Sequence, residues 1–188
     1  MSEENVLMEK IITPPHFVRF YNDVACLAKE VSHFIGVGLE AGHAGVVIAT
    51  PSLLEALDQR LSARGCDVTA ARDRGQYVAL DAAHTLSQFM VDGWPDKDQF
   101  FNVVGEVMAG AGNNYAWTRA FGEMVALLVA DNKSEAAVRL EQLWNSLGKT
   151  YFFSLFCAYP MASFDVQTTN NRFQDICAEH APVLPVEY

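Results

Sequence analysis

Ala44-Gly45-Val46-Val47-Ile48-Ala49-Thr50-Pro51-Ser52-Leu53-Leu54 carries the fold of this chain. The apolar run from Ala44 is continuous rather than alternating and is bounded by turn-forming residues, as a central strand covered on both faces requires. Pro51 fits the first turn of a helix, where its missing N–H costs nothing. Leu54, Leu57 and Leu61 then fall on one face until Gly65. Strand, turn and helix together read as part of a βαβ unit.

The same alternation extends in both directions. Upstream, His16-Phe17-Val18-Arg19-Phe20-Tyr21 has strand composition, and Asn22 and Asp23 suit a helix cap. Val24, Leu27, Ala28, Val31, Phe34, Ile35 and Gly38 follow at helical spacing, with Gly42 as the stop. Pro14 and Pro15 favour an extended backbone, so residues 1–15 read as a flexible lead-in and residues 16–188 as one domain. Downstream, the pattern predicts a short strand over 67–71 and a stronger one over 76–81. A helix carrying Leu86, Phe89 and Met90 comes next, broken by Gly93 and Pro95. A helix from Asp96 presents Phe101, Val104, Val107, Met108 and Ala111 up to Gly112, and a strand covers 115–121. Residues 122–130 are apolar nearly all round, which marks a buried helix, whereas 134–147 are amphipathic. A strand over 151–159 ends at Pro160, a helix surrounds 172–180, and 182–188 read as extended. Strands alternating with helices specify a three-layer α/β fold: a mainly parallel sheet with helices on both faces.

Bulk properties restrict the function. A chain of 188 residues buries roughly 70% of the surface it exposes unfolded, so one core suffices. A net charge of -10, with Lys and Arg scattered, opposes direct binding to nucleic acid or to an anionic membrane. No apolar run approaches the roughly 20 residues of a spanning helix, and the acidic start lacks a secretory pattern, so a cytoplasmic location is expected. Cys26, Cys66, Cys157 and Cys177 form no Cys-x-x-Cys pair, and the five histidines form no His-x-x-x-His pair. Neither a bound metal nor a cofactor is expected.

In an open parallel sheet, ligands collect beyond the carboxyl ends of the strands. That rule selects Thr50 to Ser52, Asp81, Arg119, Glu123, Cys157 and Tyr159, with His16 and Tyr21 as further candidates. A phosphate loop needs Gly-x-x-x-x-Gly-Lys-Ser/Thr to wrap phosphates in backbone N–H groups. The turn after the core strand, Ala49-Thr50-Pro51-Ser52, has neither glycine nor lysine. Asp81 resembles a metal-holding acid at a strand end, though an Asp in that place is more often a helix cap. Glu123 begins a helix, where it serves the helix dipole or faces a partner. Glu141 shares a stripe with Ala137 and Trp144, and is either a solvated helix-edge residue or one buried against Arg119 or a backbone donor. With no phosphate loop, metal motif or triad, the chain reads as a non-enzyme.

Several pieces together resemble one family. His16-x-x-x-Phe20-Tyr21, Phe34-x-x-x-Gly38-Leu39-x-x-Gly42, Phe121-Gly122-Glu123-Met124, Leu140-Glu141-x-x-Trp144-Asn145 and Leu155-x-Cys157-Ala158-Tyr159-Pro160 resemble the MEDS domain, the methanogen/methylotroph, DcmR-type sensory domain, across residues 16–180. The resemblance implies a RecA/KaiC-like fold without a working phosphate loop. It also implies a non-catalytic module that senses a small organic ligand and acts with a histidine kinase or a transcription regulator, compatibly with homo-oligomers. It carries a ligand role onto His16, Tyr21, Glu123, Cys157 and Tyr159. His43 departs from the pattern, since an acidic residue commonly stands there.

Overall fold

The computed structural model describes residues 16–164 and 170–184, the side chains of 170–172 excepted. The lead-in over 1–15 and the end of the extended segment, 185–188, lie outside the described residues. The first strand, β1 (His16–Tyr21), passes to α1 (Val24–Glu40), whose N-cap Asp23 accepts the N–H groups of Ala25 and Cys26. Gly42, at φ +77°, turns the chain into β2 (Ala44–Ala49), in which every residue is buried. Pro51 then opens α2 (Pro51–Ala63) as its spacing requires.

Two local readings are corrected. Residues 67–71 do not form a strand. They begin α3 (Val68–Asp73), because the Asp67 carboxylate accepts the Ala70 N–H and Val68 and Ala71, three apart, bury the same face. After β3 (Tyr77–Asp81) and α4 (Ala82–Ser87), Met90 belongs not to a helix but to a hairpin, β4 (Met90–Val91) with β5 (Trp94–Pro95). Its two-residue turn is Asp92-Gly93, with φ of 50° and 85°, the positive pair that matches strand twist. The helix from Asp96 consists of α5 (Lys97–Phe100), a wide π-helical turn (Phe101–Gly105) and α6 (Glu106–Asn114). β6 (Thr118–Gly122), α7 (Met124–Ala130), α8 (Ser134–Leu147), β7 (Phe153–Pro160) and α9 (Asn170–Ala178) fall near their expected places. Part of the extended C-terminal segment pairs with β1 as β8 (Val183–Leu184).

The six long-range strands form one parallel sheet in the order β3-β2-β6-β7-β1-β8. Alternate residues feed two separate cores. Phe17, Val47, Ala49, Phe121, Phe156 and Ala158 pack with α1, α2 and α3 on one face. Val18, Phe20, Val46, Ile48, Leu155, Cys157 and Tyr159 pack with α4 to α9 on the other. Crossovers β1→β2→β3 run one way and leave their helices on the first face. Crossovers β3→β6→β7→β8 run back and leave theirs on the second, as a single right-handed rule demands. The direction reverses between β2 and β6 and again between β7 and β1, and these are the two topological switch points of the sheet.

Candidate functional site

Parallel register brings a buried polar group together on the second face. Val18 lies opposite Cys157 and Phe20 opposite Tyr159, while His16 lies opposite Leu155. The period-two alternation of strands therefore sends His16, Cys157 and Tyr159 to the second face. From above comes Glu141, on the α8 stripe that buries Ala137, Leu140, Trp144 and Leu147. His180 arrives from the segment after α9, held where the Ala181 N–H donates to the His16 carbonyl at 3.0 Å.

The Glu141 carboxylate is wholly buried and is the hub of the cluster. The Tyr159 hydroxyl donates to Oε1 at 2.6 Å, and the Cys157 thiol donates to Oε2 at 3.2 Å. His16 Nε2 stands 3.0 Å from Oε2 and 3.3 Å from Cys157 Sγ. His180 Nε2 is 3.3 Å from Oε1 but not aligned for a hydrogen bond. The outer ring nitrogens are held as well: His16 Nδ1 by Asn145 Oδ1 at 2.8 Å, His180 Nδ1 by the Ile176 carbonyl at 2.6 Å. Asn145 is fixed in turn by donating to Glu179. The two imidazole rings lie 4.1 Å apart.

Electrostatics follows from burial around one charge. Burial alone would raise the Glu141 pKa, but His180 and His16 beside it hold the carboxyl well below its ordinary range. Burial would lower His180, and the Glu141 charge outweighs it and raises that imidazole. Burial and then the Glu141 charge push Cys157 and Tyr159 well up, so both stay protonated as donors. Cys157 and His16 are thus close, but the thiol is a donor and not an activated nucleophile. His16, Asn145, Glu179 and His180 line a cavity of about 350 Å³ that reaches the surface beside the cluster.

The expected strand-end set divides into three. His16, Cys157 and Tyr159 meet, not beyond the strand ends but beneath α8. His16 begins β1, ~17 Å along the strand from Tyr21 at its end. Tyr21 and Glu123 do sit at strand ends: burial and then the Glu123 charge push Tyr21 up to about 12. Glu123 accepts the Thr50 N–H at 2.7 Å while its own N–H donates to the Ile48 carbonyl, clamping β2 to β6 at their switch point. Asp81 caps α4 through the His84 N–H. Arg119 belongs to neither place. It lies on the first face, donates to the Phe34 carbonyl at 2.9 Å and packs beneath Gly38, so a Glu141–Arg119 contact, one of the alternatives for Glu141, does not form. In the sequence Asn145 stands out only within a family motif and His180 not at all, and Glu141 reads as a solvated helix-edge residue or as one buried against Arg119 or a backbone donor. The one available signal was an acid on a stripe otherwise made of Ala, Leu and Trp.

At the β7/β1 switch point, the turn Tyr21-Asn22-Asp23 again carries neither glycine nor lysine, and Asp23 occupies the helix N-terminal amides itself. Among the described residues, no helix is long and apolar enough to cross a membrane.

Comparison with known proteins agrees with the architecture. The chain is similar to the crystal structure of the KaiC-like protein PH0186 from the hyperthermophilic archaeon Pyrococcus horikoshii OT3. The TM-score is 0.57 at 14% identity, over 91% of this chain and 72% of that one. At that identity the likeness shows a RecA-type α/β fold and nothing about activity. No curated protein matches the sequence. Residues 15–175 match the family described as the methanogen/methylotroph, DcmR sensory domain, or MEDS. With most of its length matched, this chain belongs to the MEDS family of sensory domains.

Proposed function

We propose that this MEDS domain is a non-catalytic sensing module. It takes a small organic molecule in the cavity between the β1/β7 face and the α8–α9 side, and reads the molecule's polar part with the Glu141 cluster. The observation that carries this reading is a fully buried carboxylate meeting two histidines, a thiol and a phenol beside a cavity of about 350 Å³. Such a cluster is costly for structure alone, since a buried ion pair seldom outperforms apolar packing. His180 and Ala181 tie the C-terminal segment to β1, so occupancy that moves His180 shifts β8 and whatever follows it. An output through a histidine kinase or transcription regulator in the cytoplasm fits that route. Phosphate transfer does not fit: the β1–α1 turn lacks glycine and lysine, and the one cation lining the cavity there among the described residues, Arg19, is paired with Glu30 at 2.8 Å.

A thermal-shift panel of small organic acids, alcohols, halocarbons and nucleotides tests the proposal on the wild type and on Glu141→Gln. A ligand at a hundredfold its Kd adds ~2.7 kcal/mol, or roughly 5–10 °C for a domain of this size. Stabilisation by an organic compound, lost in Glu141→Gln, is the expected outcome. Stabilisation by magnesium nucleotide alone, with turnover abolished by Asp81→Asn, would overturn it in favour of a nucleotide-dependent enzyme.

A further inference from the structure

We propose that His16 Nε2, His180 Nε2, Cys157 Sγ and one Glu141 oxygen form a binding site for a single borderline-soft divalent metal ion, best matched by Zn²⁺. The proposal deepens the sensing reading of the same cluster and rests on it. One ligand atom from each of these four residues lies within 4.8 Å of the others. A tetrahedral zinc with bonds of about 2.0–2.3 Å separates its ligands by roughly 3.3–3.8 Å. His16 Nε2, Cys157 Sγ and Glu141 Oε2 already form a triangle with edges of 3.0, 3.3 and 3.2 Å, so a few tenths of an ångström of expansion admits the ion.

Three further features point the same way. His180 Nε2 is buried and faces the cluster, 3.3 Å from Glu141 Oε1 but without an aligned hydrogen bond, and a metal would give its lone pair a directed partner. Both histidines have their outer Nδ1 engaged, by Asn145 Oδ1 and by the Ile176 carbonyl, which turns each Nε2 inward as second-shell partners do in metal sites. Two imidazoles, a thiolate and a carboxylate suit zinc, whereas calcium and magnesium prefer all-oxygen shells. On binding, the hydrated ion sheds water, the Cys157 thiol gives its proton to buffer and its sulfur lone pair forms the Zn–S bond. Each Nε2 donates a lone pair, any proton it carried also leaving to buffer, and Glu141 donates an oxygen lone pair. The Tyr159 hydroxyl stays on the other carboxylate oxygen.

The test uses the full, tag-free chain stripped with chelator and then titrated with Zn²⁺ by calorimetry and with Co²⁺ by absorption. One ion per chain is expected, with a thiolate-to-cobalt charge-transfer band and the strong visible bands of a four-coordinate centre. Cys157→Ser removes the charge-transfer band. His180→Gln lowers Zn²⁺ affinity by ~100-fold or more, and Asn145→Ala, which keeps every ligand, lowers it by about 10–100-fold. Because the ligand variants can fail to fold, the wild-type Co²⁺ spectrum and Asn145→Ala decide the matter by themselves. Absence of the charge-transfer band in folded wild type, or Zn²⁺ affinity unchanged in Asn145→Ala, overturns the site. If metal binding fails while an organic compound still stabilises the wild type and not Glu141→Gln, the sensing reading survives without the metal. If metal binds and no organic compound does, that reading fails and the metal site stands.

Discussion

Two charged side chains are buried on opposite faces of the same sheet, and the sheet treats them differently. Arg119 on β6 is 8% exposed and lies against α1. Its Nη1 donates to the Phe34 carbonyl, and its guanidinium sits 5.1 Å from the centre of the Phe34 ring. Gly38 lets the helix close over it. Glu141 on α8 is 0% exposed, and its neighbours are His16, Cys157, Tyr159 and His180. Arg119 donates to a carbonyl and packs on a phenyl ring, and burial and then its charge lower the pKa of His43 nearby. Every neighbour of Glu141 can exchange protons or ligate a soft metal. Burial of charge is therefore no sign of function by itself, and the chemistry of the neighbours is what distinguishes the two places.

The sharpest way to break this contrast is Glu141→Ala in metal-free protein. It leaves a raised, buried His180 without its counter-charge and leaves Cys157 and Tyr159 without an acceptor. A loss of about 3–5 kcal/mol is expected, read as a fall in urea midpoint with unchanged slope. Tyr159→Phe keeps the ring and removes only the 2.6 Å donor to Glu141. Hydrogen bonds to charged groups contribute about 1.5–3 kcal/mol, so it should cost that much in the same measurement. A Glu141→Ala variant as stable as the wild type would mean that the cluster is not electrostatically coupled.

The contrast also explains what could be read from the residues. The parallel sheet was legible because 44–50 and 151–159 are continuous apolar runs and 134–147 has a strong helical period, all signals local to a window of about ten residues. Misread segments were short ones: at 67–71 a single cap bond by Asp67 outweighed strand-like composition, and at Met90 the turn Asp92-Gly93 made a hairpin. His16, Cys157 and Tyr159 meet in one buried cluster, whereas the strand-end rule places them at the strand ends. Period-two alternation separates His16 from Tyr21, and only the register of β1 against β7 puts His16 on the same face as Cys157 and Tyr159. Strand parity likewise sends Arg119 to the first face, away from the cluster around Glu141. Glu141 and His180 meet across 39 positions of chain, a separation that no periodicity encodes.

Gly38 and Arg119 sharpen the other side of the comparison. A Cβ at Gly38 would stand 2.6 Å from Arg119 Cδ, closer than any real contact, so Gly38→Ala should cost about 1–3 kcal/mol as overpacking. In an Arg119→Met background the slimmer, flexible side chain gives way, and at least half of that cost should vanish. A double-mutant cycle in denaturant measures the coupling.

Arg119→Met alone should have the smallest effect, within about 1 kcal/mol of wild type and of either sign. It removes a desolvated cation, whose pKa burial already lowers, and replaces it with apolar bulk of similar length. The Phe34 carbonyl that loses it lies inside α1, where the helical N–H four residues on remains as a donor. Zn²⁺ affinity and any organic-ligand shift should be unchanged, because the whole sheet separates Arg119 from Glu141. A loss of several kcal/mol, or of ligand response, would show that the two faces are coupled through β6 and that the cation belongs to the sensing machinery.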